Sequence, residues 1–179
     1  MRYHSLMMGQ IYAAADPCTI STVLGSCVAV CLWDQGREVG GVNHFMLPRW
    51  DGNGLPSPRF GNIAIPKLIE AVVAAGGRRT HLVAKVFGGG NVLGQGEPPL
   101  RFNVGFRNAD YALQALALEE IPVVAQRIKP DHGTKIAFET SSGEVILRVL
   151  RRMERDPGRP YPAVRRPGPR DNFQFDRFS

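Results

Sequence analysis

A cysteine and a histidine lie in two neighbouring strand-like stretches of the chain. Cys27 is within residues 21–34 and His44 is within residues 40–48, and both stretches are rich in β-branched and apolar residues. They flank Gln35-Gly36, which predicts a β-hairpin. A two-residue loop there pairs Cys27 directly with His44, with roughly 5 Å between their Cβ atoms. At that distance a thiol and an imidazole can act together as a nucleophile and a proton-transfer group.

A Cys–His pair is suited to attack on the carbonyl carbon of an amide. An imidazolium beside the thiol lowers the thiol pKa and keeps a proton ready for the leaving nitrogen. The imidazole must itself be oriented by a third group. Ser21 lies on the same face of an undistorted strand as Cys27, so we expect its hydroxyl near His44; Thr22 points away unless Gly25 introduces a bulge. From these residues alone, protease, acyltransferase, transglutaminase and amidase chemistry all stay open.

The competing interpretation is that Cys27 is a small buried residue of a core strand, where Gly25 relieves crowding. Under the catalytic interpretation, the glycine re-aims the next side chains, and backbone N–H groups at Ser26 and Cys27 are donors for an oxyanion. A second glycine cluster, residues 88–90, follows the strand predicted for residues 81–87 and indicates a close backbone approach. Neither a Gly-Lys-Ser/Thr sequence nor GxGxxG spacing accompanies it, so nucleotide binding is not predicted. The candidates for substrate or oxyanion contacts are Gly25, Ser26, Asn43 and Gly89.

Composition predicts one domain followed by a tail. The chain has 179 residues, of which 44% are apolar, enough for one well-packed core. We expect a domain over residues 1–150 and a flexible tail over 151–179, because the tail is rich in proline and arginine and poor in aliphatic residues. The tail holds eight arginines against four acidic residues, so four of the six net positive charges lie there. A nucleic-acid-binding function would depend on this tail alone, and none is predicted for the body.

Several classes of protein are not supported by the sequence. No stretch has the roughly 20 apolar residues of a membrane span, and no secretory signal is recognisable, so a cytoplasmic location is expected. Three cysteines fit a reducing compartment better than a disulfide framework. The histidines lack the spacing of metal ligands, so no metal site is predicted. The Cys–His chemistry itself needs no cofactor, and none is predicted.

The remaining pattern predicts an α/β domain with mixed, largely antiparallel pairing. A helix is expected from a cap at Asn62 to the glycines at 76–77, and a second helix over residues 108–120. Residues 134–139 and 144–150 are expected to form a hairpin. Strands interleaved with two helices are typical of a single α/β domain.

Five short motifs stand out along the chain: Leu24-Gly25-Ser26-Cys27-Val28-Ala29-Val30-Cys31, Asn43-His44-Phe45-Met46-Leu47-Pro48, Lys85-Val86-Phe87-Gly88-Gly89, Arg107-Asn108 and Ile121-Pro122-Val123-Val124-Ala125. With these motifs the chain resembles the CheD family of chemoreceptor glutamine deamidases, over about residues 5–150.

The resemblance implies a layered α/β sandwich related to the catalytic domain of the cytotoxic necrotizing factor toxins. It implies a protein-glutamine glutaminase that converts glutamines of methyl-accepting chemotaxis receptors to glutamate and ammonia through a Cys thioester, in chemotactic adaptation. The family's nucleophile falls on Cys27 and its base on His44. Its third catalytic residue, usually threonine, falls on Ser21, with Thr22 the alternative. The CheC phosphatase is implied as a partner, and regulation of CheC is the alternative function.

Overall fold

The computed structural model describes residues 2–91, 103–150 and 175–179. Within these ranges the chain forms three layers: two helices, a central sheet and an outer sheet. The strands are β1 (Arg2–Ser5), β2 (Ile11–Ala14), β3 (Cys18–Leu24), β4 (Val28–Asp34), β5 (Val39–Asn43), β6 (Leu82–Gly88), β7 (Val123–Ile128), β8 (Gly133–Glu139), β9 (Val145–Leu150) and β10 (Phe175–Phe178), and the helices are α1 (Gly61–Ala74) and α2 (Val104–Leu118).

The central sheet has the order β2-β5-β4-β6-β7, and the outer sheet has the order β1-β3-β8-β9-β10. Pairing is antiparallel except between β1 and β3 and between β6 and β7. This confirms the predicted α/β class with mixed pairing, although the strands divide into two sheets.

Strand β4 lies at the centre of the molecule and is buried on both faces. Val28, Val30 and Leu32 pack toward the helices, while Ala29 and Cys31 pack into the second core between the two sheets. Side chains alternate along a strand, so a strand between two apolar layers becomes a continuous hydrophobic run. This explains why the sequence around Cys31 shows no polar alternation.

The hairpin between β4 and β5 is present, but its predicted register is wrong. Asp34 pairs with Val39 and Cys31 pairs with Val42, because the loop contains four residues, 35–38, in place of Gln35-Gly36 alone. Glu38 adopts a left-handed backbone conformation with φ 54°. The loop centre is therefore shifted by one residue and the pairing by two, which preserves the face that each side chain occupies.

The predicted continuous strand through Cys27 is also wrong. β3 ends at Leu24 and belongs to the outer sheet, whereas β4 begins at Val28 and belongs to the central sheet. Residues 25–27 carry the chain from one sheet to the other. The alternation of faces along β3 therefore cannot be extrapolated through Gly25 to Cys27.

Both predicted helices form, with different beginnings. Asn62 does not cap α1; its side chain accepts a hydrogen bond from the backbone N–H of Trp50, at 2.8 Å. α2 begins four residues earlier than predicted, and Asn103 caps it by accepting from the N–H of Phe106 at 3.1 Å. Because of this earlier start, Asn108 lies within α2 rather than at its first position.

The expectation of a flexible tail is wrong for residues 175–178. These residues form β10, which pairs antiparallel with β9 at the edge of the outer sheet. The ring of Phe178 packs edge-on against Phe87, with 5.3 Å between ring centroids. The prediction for 151–174 lies outside the described residues. The hairpin of β8 and β9 is confirmed.

Candidate active site

His44 follows the end of β5 and projects into the space between the two sheets. Its backbone is held by the turn before β2: its N–H donates to Gln10 and its carbonyl accepts from Gly9, at 3.1 and 2.7 Å. Its side chain is 3% exposed. The Nδ1 atom lies 2.7 Å from the hydroxyl oxygen of Thr22, on β3 of the facing sheet. The imidazole is therefore fixed by contacts from both sheets.

The hydrogen bonds of Thr22 define which nitrogen of His44 carries the proton. The Thr22 hydroxyl donates its only hydrogen to the carbonyl oxygen of Leu6, at 2.8 Å. Toward His44 it can then only accept, so Nδ1 must be the protonated nitrogen. Nε2 is left with its lone pair, and it is buried without a hydrogen-bond partner among the described residues. An imidazole in this tautomer is prepared to accept a proton at Nε2.

Ser21 does not meet the expectation that its hydroxyl lies near His44. It points away from the space between the sheets, and its hydroxyl is hydrogen-bonded to that of Tyr3 on the neighbouring strand β1. Ile20 and Leu24 pack between the sheets. Even-numbered residues of β3 thus face the central sheet, and Thr22 occupies the place predicted for Ser21.

Cys27 and His44 are diagonal neighbours rather than direct partners. Val28 and Phe45 exchange two backbone hydrogen bonds of 3.0 Å, and the two site residues immediately precede them. Diagonal positions on one face are roughly 7 Å apart in a regular ladder. Among the described residues Nε2 of His44 has no hydrogen-bond partner, so no hydrogen bond joins it to the Cys27 sulfur. Cys27 packs against the core between the sheets, the side on which His44 meets Thr22. The sequence prediction of a shared face is correct, and that of direct opposition is wrong.

The environment keeps both groups neutral. Burial raises the pKa of the Cys27 thiol, and burial lowers the pKa of His44 from 6.5 to about 4. Burial thus favours a neutral thiol and a neutral imidazole over a thiolate–imidazolium pair. A neutral thiol and a neutral imidazole with a free Nε2 describe a site in which proton transfer accompanies nucleophilic attack.

The loop that carries Cys27 is held by its three consecutive carbonyl groups. The carbonyl of Gly25 accepts from Gly90 N–H at 2.9 Å, that of Ser26 accepts from the Asn108 side chain at 3.0 Å, and that of Cys27 accepts from Gly89 N–H at 2.8 Å. Within the described part of the chain, the backbone N–H groups of Ser26 and Cys27 donate no hydrogen bond. These two donors are available to an oxyanion.

The close backbone approach predicted for the glycines at residues 88–90 is present. Gly88 has φ +99°, and a Cβ there would overlap the carbonyl oxygen of Cys27. Gly89 has φ +67° and lies against α2, where a Cβ would come within 2.8 Å of the Ala109 side chain. Because Gly89 N–H already donates to Cys27, it supports the loop rather than offering a free donor.

Asn43 also has a supporting position. Its side-chain oxygen accepts from the N–H of Val30 at 3.0 Å, in the interval between the Cys31–Val42 and Val28–Phe45 pairs.

No group of three or more residues suitable for a metal ion occurs in the described ranges 2–91, 103–150 and 175–179. The described helices include none that is long and apolar enough to span a bilayer.

Comparison with known proteins gives a consistent result. The family model described as "CheD chemotactic sensory transduction" matches residues 46–149. A protein of Trichlorobacter lovleyi, named "Probable chemoreceptor glutamine deamidase CheD", is 47% identical over 147 residues, which cover 82% of this chain and 90% of the relative. The chain belongs to the CheD family.

Other members of the CheD family are similarly related. A protein of Sulfurimonas denitrificans with the same name is 43% identical over 151 residues, covering 81% of this chain and 92% of its own length. One of Anaeromyxobacter dehalogenans, named "Probable chemoreceptor glutamine deamidase CheD 1", is 47% identical over 145 residues, covering 81% and 83%. The resemblance detected in the sequence motifs is thus confirmed.

The sequence identifies two residues of the site only incompletely. The predicted continuous strand through Cys27 favours Ser21 over Thr22. Asn108 stands out only as part of the Arg107-Asn108 motif, although it shares a helix face with the buried Ala109, Ala112 and Leu116. A polar residue within an apolar helix face was the available signal, because buried amides are placed there for hydrogen bonds.

Proposed function

We propose that this protein is a chemoreceptor glutamine deamidase that hydrolyses the carboxamide of glutamine side chains to a carboxylate and ammonia. The observation that carries the proposal is the Thr22–His44 hydrogen bond, which leaves a buried, unprotonated Nε2 on the face that Cys27 occupies. The names of the relatives support the substrate class. The same proposal includes a cytoplasmic location and a role in chemotactic adaptation.

In the first half of the reaction, the Cys27 sulfur attacks the carboxamide carbon while its proton passes to Nε2 of His44. The carbonyl oxygen becomes an oxyanion, which accepts from the N–H groups of Ser26 and Cys27. As the carbon–nitrogen bond breaks, His44 returns the proton to the leaving nitrogen, which departs as ammonia. The enzyme is left as a thioester with neutral His44.

In the second half, water attacks the thioester carbon and gives a proton to Nε2. The carbon–sulfur bond breaks, the glutamate carboxyl group is released, and the sulfur regains its proton from His44. Throughout, Thr22 accepts from Nδ1–H, which holds the imidazole in one tautomer and stabilises the transient imidazolium. The net reaction consumes one water for each ammonia formed.

The wild-type protein should release ammonia from receptor cytoplasmic fragments, and mass spectrometry should show the matching mass gain at glutamine. Cys27→Ala should abolish both signals. Cys31→Ala is the matched control, because Cys31 faces the same side of the sheet but is fully buried in the core and has no part in the reaction. Ammonia release by Cys27→Ala at the wild-type rate would refute the proposal.

Two finer parts of the proposal extend beyond the chemistry. We propose CheC as a partner and kinship of the fold with the catalytic domain of the cytotoxic necrotizing factors. A layered sandwich with a Cys–His pair between its sheets is compatible with that kinship. Co-purification of tagged protein with CheC tests the partnership separately from the ammonia assay.

A further inference from the structure

Asn108 connects the two segments that carry the thiol and the imidazole. It lies on α2, and its side chain is completely buried. Its Nδ2 donates to the carbonyl of Ser26 at 3.0 Å and to the carbonyl of Met46 at 2.9 Å. Ser26 immediately precedes Cys27, and Met46 lies two residues after His44. A single amide group therefore holds together the backbones on either side of the site.

The bonds of Asn108 are suited to fixing the distance between these two segments. Both amide hydrogens are used, one on each carbonyl, so the side chain cannot rotate without breaking one of them. A shift of either segment would have to stretch a hydrogen bond in a buried environment, where an unpaired polar group is costly.

The side-chain oxygen of Asn108 indicates that the role of this amide lies in its two N–H donors. The Oδ1 atom of Asn108 is buried and has no hydrogen-bond partner among the described residues. An apolar side chain on this face of α2 would avoid the unpaired oxygen, as Ala109 and Ala112 do. It would, however, leave the carbonyls of Ser26 and Met46 unpaired. The unpaired oxygen is thus offset by two bonds at the site.

The helix that carries Asn108 is itself held closely against the glycine turn. A Cβ at Gly105 would overlap the carbonyl of Gly90, and one at Gly89 would come within 2.6 Å of the carbonyl of Gly105. Such close backbone contact leaves α2 little freedom to move relative to the loop of Cys27. Asn108 is therefore presented from a rigid element.

We propose that Asn108 is a positioning residue, which sets the separation of Cys27 from His44 through the carbonyls of Ser26 and Met46. This inference rests on the proposed deamidase function. It predicts that the loss of Asn108 affects the chemical step and leaves substrate binding unchanged, because misplacement of reacting groups by about 1 Å can cost on the order of 100-fold in rate.

The test compares Asn108→Ala with Asn103→Ala in the full chain, with ammonia release from receptor cytoplasmic fragments as the readout. Asn103 caps the same helix and is also buried, but its side chain contacts Phe106 N–H and neither site segment. Both variants should lose some stability. Asn108→Ala should lower kcat roughly 10- to 100-fold with KM within about twofold of wild type. Asn103→Ala should keep the wild-type kcat.

The outcomes separate this inference from the proposed function. If wild-type protein releases no ammonia, the deamidase proposal fails; if wild type is active and Asn108→Ala matches Asn103→Ala per folded molecule, only the positioning role fails. A raised KM with unchanged kcat also overturns it. Should Asn108→Ala not fold, Asn108→Ser retains one donor and should show an intermediate kcat at unchanged KM, whereas full kcat would contradict the inference.

Discussion

The hydroxyl of Thr22 accepts a hydrogen bond from Nδ1 of His44 across the space between the two sheets, at 2.7 Å. The same hydroxyl donates to the carbonyl of Leu6. This chain of two bonds fixes the tautomer of the imidazole without a charged residue. The pKa of His44 stays low, because burial disfavours the imidazolium and the hydroxyl of Thr22 carries no compensating charge.

Replacement of Thr22 by valine should impair the reaction much more than replacement of Ser21 by alanine. Valine preserves the shape of threonine but cannot accept from Nδ1–H, so the imidazole loses its orientation and its preferred tautomer. We expect kcat to fall roughly 100-fold or more in Thr22→Val and to be largely restored in Thr22→Ser. Ser21→Ala, which removes only the bond to Tyr3, should retain nearly full kcat. Ammonia release measures all three, and the reverse ranking would assign the third role to Ser21.

The stability of the protein should decrease on acidification because of His44. Its pKa is lowered to about 4 in the folded protein, whereas an unfolded histidine titrates near 6.5. Between these values the unfolded state binds more protons than the folded state. The contribution of His44 to the free energy of unfolding is therefore fully present above pH 6.5 and is lost as the pH falls toward 4. The loss amounts to about 3 kcal/mol.

Urea denaturation at several pH values between 7 and 4 measures this effect. The His44→Gln variant lacks the titrating group. Between pH 7 and 4 its free energy of unfolding should therefore fall by about 3 kcal/mol less than that of wild type. Parallel curves for the two proteins would show that His44 is not buried as a neutral imidazole.

How far the site could be predicted depended on the range of each interaction. The shared face of Cys27 and His44 followed from the alternation of side chains along β4 and β5, which is a local property. The register of the β4–β5 hairpin does not follow from this alternation. It depends on the length of the loop, which has four residues and is not specified by Gln35-Gly36. The error of two residues left the face unchanged.

Long-range contacts were not accessible in this way. Thr22 and His44 are joined because β3 and β5 belong to different sheets that pack face to face. No periodicity along the chain encodes which sheets pack together. The bond from Asn108 to Ser26 spans 82 residues and depends on how α2 packs against the glycine turn. For such residues the sequence offers only an indirect sign, a polar side chain among apolar ones.

Gly88→Ala should disturb Cys27, and Gly52→Ala provides a closely matched control. The two glycines have nearly equal φ angles, +99° and +98°, both in the region that alanine rarely adopts, so alanine is strained in φ at each. At Gly88 the new Cβ would also overlap the carbonyl of Cys27, whereas at Gly52 nothing lies within 4 Å. We expect Gly88→Ala to cost about 1–3 kcal/mol more in unfolding free energy, and to lower kcat. Equal losses in urea denaturation would mean that the turn can relax without moving Cys27.

Lys85 is buried between the sheets and hydrogen-bonded to strand β10. It is 2% exposed, and its ammonium donates to the carbonyls of Gly143 and Phe178 at 2.7 and 3.0 Å. Burial lowers the pKa of Lys85, so each acceptor matters for keeping the charge. Deletion of residues 175–179 removes one acceptor and the ring that packs on Phe87.

The deletion should lower the free energy of unfolding by about 1–3 kcal/mol in the wild-type background. In Lys85→Met the acceptor is no longer needed, so the same deletion should cost less, and the difference between the two costs measures the coupling of Lys85 to β10. Urea denaturation of the four proteins gives this value directly. Equal costs in both backgrounds would show that β10 stabilises the fold through the Phe178–Phe87 contact and strand pairing alone. If the ammonium of Lys85 depended on the Phe178 carbonyl, the loss of that carbonyl would add a further cost in the wild-type background.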